Sequence, residues 1–164
     1  MYTTRRATSA DAEAIVRIYN EGIADRVATF ETRERSVDDI AAWFGGRHPV
    51  VVVERRGPGV VAFASTSPYR ARDCYAGVAE FSVYVARDER GRGAGRAAME
   101  ALLAEAAAAG LWKLVSRVFP ENAASRALLA AVGFREVGTY RRHARLDGTW
   151  RDVVIVERLL DEPA

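Results

Sequence analysis

The sequence predicts a single domain over residues 1–164. Its fold class is α/β in the broad sense (α+β), with a mixed sheet and helices on both faces. Two observations predict this class. Runs of β-branched residues alternate with helical patterns, and no linker or internal repeat divides the 164 residues. Strands joined by tight turns pair antiparallel, whereas strands separated by a helix can pair in parallel. The sheet is therefore expected to contain both kinds of pairing.

The first half of the chain is predicted to form a strand, two helices and a hairpin. Thr8 and Asp11 have capping-box spacing at the start of the first helix, whose apolar residues recur at helical spacing to about Gly22. Gly45-Gly46 ends the second helix, and Gly57-Pro58-Gly59 is a turn between two β-branched strands. The predicted elements are a strand over 2–6, helices over 8–22 and 36–44, and strands over 50–53 and 60–64.

The second half alternates strands with helices and ends in a hairpin. A glycine-rich bend joins a strand to an alanine-rich helix, and Asn122 begins the last helix. Asp147-Gly148 has the chemistry of a primed hairpin turn. The predicted elements are a strand over 78–86, a helix over 95–109, a strand over 111–119, a helix over 122–131, and strands over 134–146 and 149–160.

Composition excludes several classes of function. The net charge is +2 and the acidic residues are spread through the chain, so no basic face for nucleic acid is expected. No run approaches the roughly 18 apolar residues that span a bilayer, and the N-terminal segment lacks an apolar signal core. A cytoplasmic protein with no membrane partner is expected. Cys74, His48 and His143 are the only cysteine and histidines, so no metal site is predicted.

The stretch from Glu80 to Gly95 carries the chemical signal. It is a strand, a basic glycine-rich loop and the start of a helix. Free N–H groups at a helix start favour an anion, and Arg90 and Arg92 add positive charge. A phosphate or pyrophosphate is the expected ligand, although glycine spacing alone leaves open a helix entry that binds nothing.

Two common phosphate loops do not fit this stretch. A P-loop needs Lys followed by Ser or Thr, but Arg96-Ala97 follows the last glycine. Glycines at 91, 93 and 95 also lack the Gly-x-Gly-x-x-Gly spacing of a dinucleotide fold. The stretch Arg90-Gly-Arg-Gly-Ala-Gly95 resembles instead the acyl-CoA signature of the GNAT N-acetyltransferase superfamily, which has Arg or Gln, two residues, Gly, one residue, and Gly or Ala.

The resemblance extends over essentially the whole chain, including Asn122-Ala-Ala-Ser125 and Val132-Gly-Phe134 around the last helix. It implies a mixed, mostly antiparallel sheet of about seven strands, acetyl-CoA as the acetyl donor, a small amine as acceptor, and a homodimer. Within the superfamily, four stretches look like the phosphinothricin and methionine sulfoximine N-acetyltransferase group: 28–31, 68–75, 79–85 and 148–153.

The resemblance also implies where acetyl-CoA binds. Its pyrophosphate is expected on the N–H groups of the loop, and its pantetheine arm along the preceding strand, with the Val85 N–H as oxyanion donor. The alternatives are a plain core strand and, for Asn122, an ordinary helix cap. The predicted cofactor-binding residues are Val83, Tyr84, Val85, Arg90, Gly91, Arg92, Gly93, Ala94, Gly95, Asn122 and Ser125.

Glu80 is the predicted general base. It shares one face of its strand with Ser82 and Tyr84, and a carboxylate in an apolar strand is unusual unless that face is exposed. A glutamate with its ordinary pKa of about 4.3 is a weak base toward an ammonium group. Glu80 is therefore expected to act through water, with burial making it a stronger base.

The resemblance assigns three residues to the acceptor and leaves one role unfilled. Arg72 is expected to bind the carboxylate of an amino acid, and Phe30 and Tyr75 to line the pocket, although surface or core positions remain open for each. Leu129 stands where many members carry a tyrosine that protonates the CoA thiolate. Leu129 therefore leaves acyl-CoA sensing without catalysis open, and acetylation of polyamines or protein N-termini is a separate alternative.

Overall fold

The computed structural model describes residues 1–160 and contains one seven-stranded sheet. The strand order is β1-β2-β3-β4-β5-β7-β6, and every neighbouring pair is antiparallel except β4 and β5. The predicted mixed, mostly antiparallel sheet is confirmed. The strands are β1 (Tyr2–Arg6), β2 (Val50–Arg55), β3 (Gly59–Pro68), β4 (Val78–Val85), β5 (Lys113–Val118), β6 (Arg135–Leu146) and β7 (Thr149–Leu159).

Four helices cover the two faces of the sheet, as predicted. Met99 and Leu102 lie in an apolar cluster on one face, and Ile15, Ile18 and Phe63 lie in a separate cluster on the other. None of the helices in the described part of the chain is long and apolar enough to span a bilayer. The helices are α1 (Ala12–Asp25), α2 (Val37–Ala41), α3 (Ala94–Ala108) and α4 (Ala123–Ala131).

Several predicted boundaries were wrong by a few residues. Helix α1 continues past Gly22 to Asp25, and the chain leaves it at Arg26, which has φ 57°. Helix α2 ends at Ala41. Phe44 lies in the turn that follows and still packs against the apolar cluster, so its inward position does not require a helix. Strand β3 runs to Pro68 because its last residues pair with the start of β4.

Strands β4 and β5 pair only at their beginnings. The parallel ladder joins residues 78–80 to residues 113–115 and then stops. One further link follows, in which the Ser116 hydroxyl donates to the carbonyl of Phe81 at 2.9 Å. Beyond this point the two strands separate, and the sheet has an opening between them.

Candidate active site

The opening exposes main-chain groups of β4. Ala86 donates to the carbonyl of Val61 at 2.8 Å, so alternate residues of β4 pair with β3. By the same alternation, the main-chain groups of Phe81, Val83 and Val85 point away from β3. The Phe81 carbonyl accepts from Ser116 and the Val85 carbonyl from Arg90, which leaves the Val83 groups and the Val85 N–H facing the opening. Strand β4 therefore offers an unpaired edge to an extended ligand.

A cleft of about 430 Å³ lies at the end of this edge. It is lined by β4, the loop before α3, and residues of α3 and α4. Gly91 and Gly93 have φ of 75° and 94°, in the left-handed region that favours glycine. A β-carbon at Gly95 would lie 3.1 Å from Cδ2 of Leu128 and 3.4 Å from Cγ2 of Val85. The glycines therefore keep this cleft open and bend the loop around it.

The arginines of the loop are already engaged by carboxylates. Arg90 donates to Asp25 at 2.6 Å and, through Nε, to the carbonyl of Val85 at 3.3 Å. Arg92 lies 3.7 Å from the buried carboxylate of Glu89. The positive charge predicted for this loop is therefore partly balanced within the protein.

A second cleft of about 340 Å³ lies where β4 and β5 separate. Phe30 and Glu80, two of the residues predicted to act on the acceptor, line it. Five residues line both clefts, so the two spaces meet along β4 and the start of α4. The shared residues are Ala28, Val83, Tyr84, Asn122 and Ser125.

Glu80 has a cationic neighbour in this second cleft. Its Oε1 lies 3.3 Å from Nη2 of Arg117, and the two side chains are 35% and 43% exposed. The burial expected of Glu80 is therefore only partial. Glu80 pairs with Val115 in the parallel ladder, and Arg117 lies two residues further along β5 on the same face. Sequence reasoning missed Arg117, because only this register brings it beside Glu80.

Tyr84 and Tyr19 line the second cleft side by side. Their ring centroids are 4.9 Å apart, and burial raises the pKa of both phenols. Both hydroxyls are therefore protonated at neutral pH. A β-carbon at Gly22 would lie 2.6 Å from Cδ1 of Tyr84, so the tyrosine ring is seated against α1 where a glycine leaves room.

Asn122 fixes the junction of the two clefts. Its side-chain oxygen accepts from the Ser125 N–H at 3.2 Å, and its amide donates to the carbonyl of Val27 at 3.2 Å. The first bond caps α4, as predicted from Asn122 alone. The second bond holds the segment that carries Phe30 against α4.

Residues 15–134 match the acetyltransferase (GNAT) family. This range contains strand β4, the glycine-rich loop, helix α3 and helix α4, in that order. The chain belongs to this family. It is an acetyl-CoA-dependent N-acetyltransferase, and the resemblance found in the sequence is confirmed.

Relatives and solved structures of this acetyltransferase family cover nearly the whole chain. The phosphinothricin N-acetyltransferase of Streptomyces coelicolor is 32% identical to this chain, and the alignment covers 95% of this chain and 95% of that enzyme. The L-methionine sulfoximine/L-methionine sulfone acetyltransferase of Pseudomonas paraeruginosa is 31% identical to this chain, and the alignment covers 96% of this chain and 94% of that enzyme. A phosphinothricin acetyltransferase from Sinorhizobium meliloti, solved in complex with acetyl-CoA, is 29% identical with a TM-score of 0.89, over 96% of this chain and 88% of that one.

The first cleft of the acetyltransferase fits an acyl-CoA. The unpaired edge of β4 has donors and acceptors in the alternation that an extended amide chain requires. Gly95 leaves space where any side chain would contact Leu128 and Val85. The predicted cofactor-binding residues line one or both clefts, except Arg92 and the buried Ala94.

Arg72 and Tyr75 lie outside both clefts of the acetyltransferase. They flank a short turn between β3 and β4, and both are exposed. Tyr75 packs edge-on against Tyr69, with ring centroids 5.6 Å apart. Their predicted roles in acceptor binding stay predictions. Leu129 is 2% exposed and lines the second cleft, so an apolar side chain occupies this wall.

Proposed function

We propose that this enzyme acetylates the amine of a small amino-acid-like acceptor of the phosphinothricin, methionine sulfoximine or methionine sulfone type. One observation carries the proposal: the carboxylate of Glu80 lies in a cleft that joins the acyl-CoA cleft along β4. The names of the two relatives support the acceptor class, since each acts on an amino-acid analogue.

The chain's own groups hold the donor in this proposal. Bound acetyl-CoA supplies an acetyl group activated as a thioester. The edge of β4 at Val83 and Val85 binds the extended arm, and the N–H groups from Arg90 to Gly95 bind the pyrophosphate. Tyr84, Asn122 and Ser125 lie where the two clefts meet, beside the reacting end.

Two groups on β4 act on the reaction itself. The Val85 N–H faces the opening and donates to the carbonyl oxygen that gains negative charge. Glu80 accepts the proton of the acceptor's ammonium group through a water molecule. Leu129 has no proton to donate, so solvent protonates the departing thiolate, whose thiol has a pKa near that of cysteine, about 8.5.

The acceptor is held by groups around the second cleft. Phe30 lies on its wall and packs edge-on against Phe119, with centroids 4.9 Å apart. The sequence also predicts Arg72 and Tyr75 as acceptor contacts, and both lie outside the two clefts, on the loop between β3 and β4. This loop is near the cleft, because Glu80 is only two residues into β4 and pairs with Ser67 of β3.

We also propose that the enzyme is a homodimer. The hairpin of β6 and β7 forms one edge of the sheet and carries exposed apolar side chains, among them Tyr140 and Trp150. Large exposed apolar groups on an unpaired edge favour association with a second copy. Light scattering coupled to size-exclusion chromatography tests this, and a monomer at micromolar concentration would contradict it.

Turnover with a panel of amines tests the function. Release of free CoA thiol is followed with acetyl-CoA and, in turn, phosphinothricin, methionine sulfoximine, methionine sulfone, a polyamine and a peptide with a free N-terminus. The three amino-acid analogues should be the best acceptors. A preference for the polyamine or the peptide would overturn the proposed acceptor class. Binding of acetyl-CoA without turnover of any amine would indicate an acyl-CoA sensor instead of an enzyme.

A further inference from the structure

We propose that Arg117 is a specificity-determining residue that binds the carboxylate next to the acceptor's amine. This inference rests on the proposed function and adds to it a residue that reads the acidic group of the substrate. Arg117 is the single basic side chain among the described residues that line the second cleft. It stands beside Glu80, the residue proposed to receive the ammonium proton.

Arg117 has free hydrogen-bonding capacity. Its one ion pair within residues 1–160 is the 3.3 Å contact to Glu80, and its guanidinium makes no hydrogen bond to those residues. An ion pair between two partly exposed side chains contributes little to stability. A guanidinium has five N–H donors in a planar fork that matches a carboxylate. Arg117 is thus available to a ligand rather than committed to the fold.

The spacing of the two charges matches an α-amino acid. Nη2 of Arg117 and Oε1 of Glu80 are 3.3 Å apart. In an α-amino acid the ammonium nitrogen and the nearer carboxylate oxygen are about 3 Å apart, as the bond lengths of the backbone require. An acceptor that lies alongside this ion pair can therefore turn its ammonium group toward Glu80, with the water molecule between them, and bring its carboxylate to Arg117. A polyamine or a peptide N-terminus has no carboxylate beside its amine.

The other charged side chain of this cleft does not compete for Arg117. Glu31 pairs with Arg35 at 2.6 Å. Arg72, the residue predicted from the sequence to bind this carboxylate, lies outside the cleft lining. The two arginines are therefore rival receptors for the same group, and a substrate pair that differs only in the carboxylate separates them.

The test compares methionine sulfone with its decarboxylated analogue, 3-(methylsulfonyl)propan-1-amine. kcat and KM for both are measured at saturating acetyl-CoA with wild type, Arg117→Ala, Arg117→Lys, Arg72→Ala and Arg135→Ala. Arg135 is an exposed arginine of β6 that pairs with Glu157 and serves as the matched control. Thermal unfolding checks that each variant is folded.

Arg117→Ala should lower kcat/KM for methionine sulfone by about tenfold to a hundredfold, mainly through KM. The same variant should change kcat/KM for the decarboxylated amine by less than about threefold. Arg117→Lys should fall between, because it keeps the charge and loses the fork, and Arg135→Ala should match wild type. An equal loss for both acceptors, or a selective loss with Arg72→Ala and none with Arg117→Ala, would overturn the inference.

Binding separates this inference from the proposed function. Calorimetry of methionine sulfone with the enzyme–CoA complex needs no turnover. If wild type acetylates neither these two acceptors nor any other amine of the panel, the proposed function fails. Weaker binding to Arg117→Ala than to wild type still supports a carboxylate receptor, and equal binding overturns it.

Discussion

Asp25 accepts a hydrogen bond from Arg90 at 2.6 Å and thereby joins the last residue of α1 to the loop before α3. Its other oxygen accepts from Arg87 at 2.8 Å. These hydrogen bonds, the one from Arg87 first, hold the pKa of Asp25 below its ordinary value, so the carboxylate is charged at neutral pH. Arg90 also contacts the carbonyl of Val85, so Asp25 helps position the loop against the end of β4.

Asp25→Ala should raise the KM for acetyl-CoA about fivefold, since two partly exposed ion pairs that position the loop are lost. kcat at saturating acetyl-CoA should change less, because Asp25 does not touch the reacting atoms. Steady-state kinetics with varied acetyl-CoA measure this. Asp38→Ala, at an exposed aspartate of α2, is the control. An unchanged KM would show that the loop keeps its position without Asp25.

Glu80→Gln should lower kcat by about a hundredfold, because general-base catalysis contributes roughly 10² to 10⁴ in rate. The amide has the size of the carboxylate but cannot accept the proton. The pH profile of kcat, measured for both proteins, should lose its acidic limb in the variant. Glu13→Gln, at an exposed position of α1, should behave as wild type. Equal kcat values for Glu80→Gln and wild type at every pH would exclude the role.

Gly95→Val should raise the KM for acetyl-CoA by about tenfold or more. The β-carbon alone would lie 3.1 Å from Leu128, and the added methyl groups would fill the cleft beside Val85. The KM for the acceptor should stay within about twofold. Gly46→Val is the matched control, because a β-carbon there meets nothing within 4 Å. Wild-type affinity of Gly95→Val for acetyl-CoA would place the donor elsewhere.

Asp11→Asn should make the free energy of unfolding less dependent on pH in the acid range. Asp11 accepts two hydrogen bonds from Arg5 at 2.8 Å each, and these bonds are the largest cause that holds the pKa of Asp11 below its ordinary value. The folded pKa is below the unfolded one, so the unfolded state binds more protons in this range. The stabilisation is complete above about pH 4 and is lost as the pH falls through the folded pKa.

Urea unfolding between pH 2 and 6 measures this effect. At pH 6 the free energy of unfolding of Asp11→Asn should be about 1 to 3 kcal/mol lower than that of wild type. The difference should shrink toward pH 2, where the wild-type carboxyl is protonated. Asp38→Asn should follow the wild-type curve. A difference between Asp11→Asn and wild type that stays constant with pH would contradict the pKa assignment.

Most secondary elements are predictable from local pattern. Consecutive β-branched residues, turn glycines and helical spacing indicate all seven strands and four helices, because these signals depend on neighbouring residues. Boundaries failed where tertiary packing decided them. Phe44 packs inward from a turn, and Pro68 extends β3 only because it pairs with Ala79 of β4.

The candidate site likewise has parts that local sequence patterns indicate and parts that depend on the fold. Glu80, the glycine loop and Asn122 are visible in the sequence, since each belongs to a short motif or to a strand pattern. The clefts themselves depend on β4 and β5 separating after Glu80, and no local pattern marks that point. Placement on the loop between β3 and β4 also left Arg72 outside the cleft lining.

The family can therefore be recognised from the chain alone, and the glycine-rich loop and the candidate base can be predicted from it, because these follow from residue types at fixed short spacings. Which charged side chains contact each other depends instead on the fold. Asp25 and Arg90 are 65 residues apart in the chain, and Arg117 reaches Glu80 from a different strand. Such contacts depend on sheet register and helix packing, which are properties of the whole fold and leave no periodic signal in the chain.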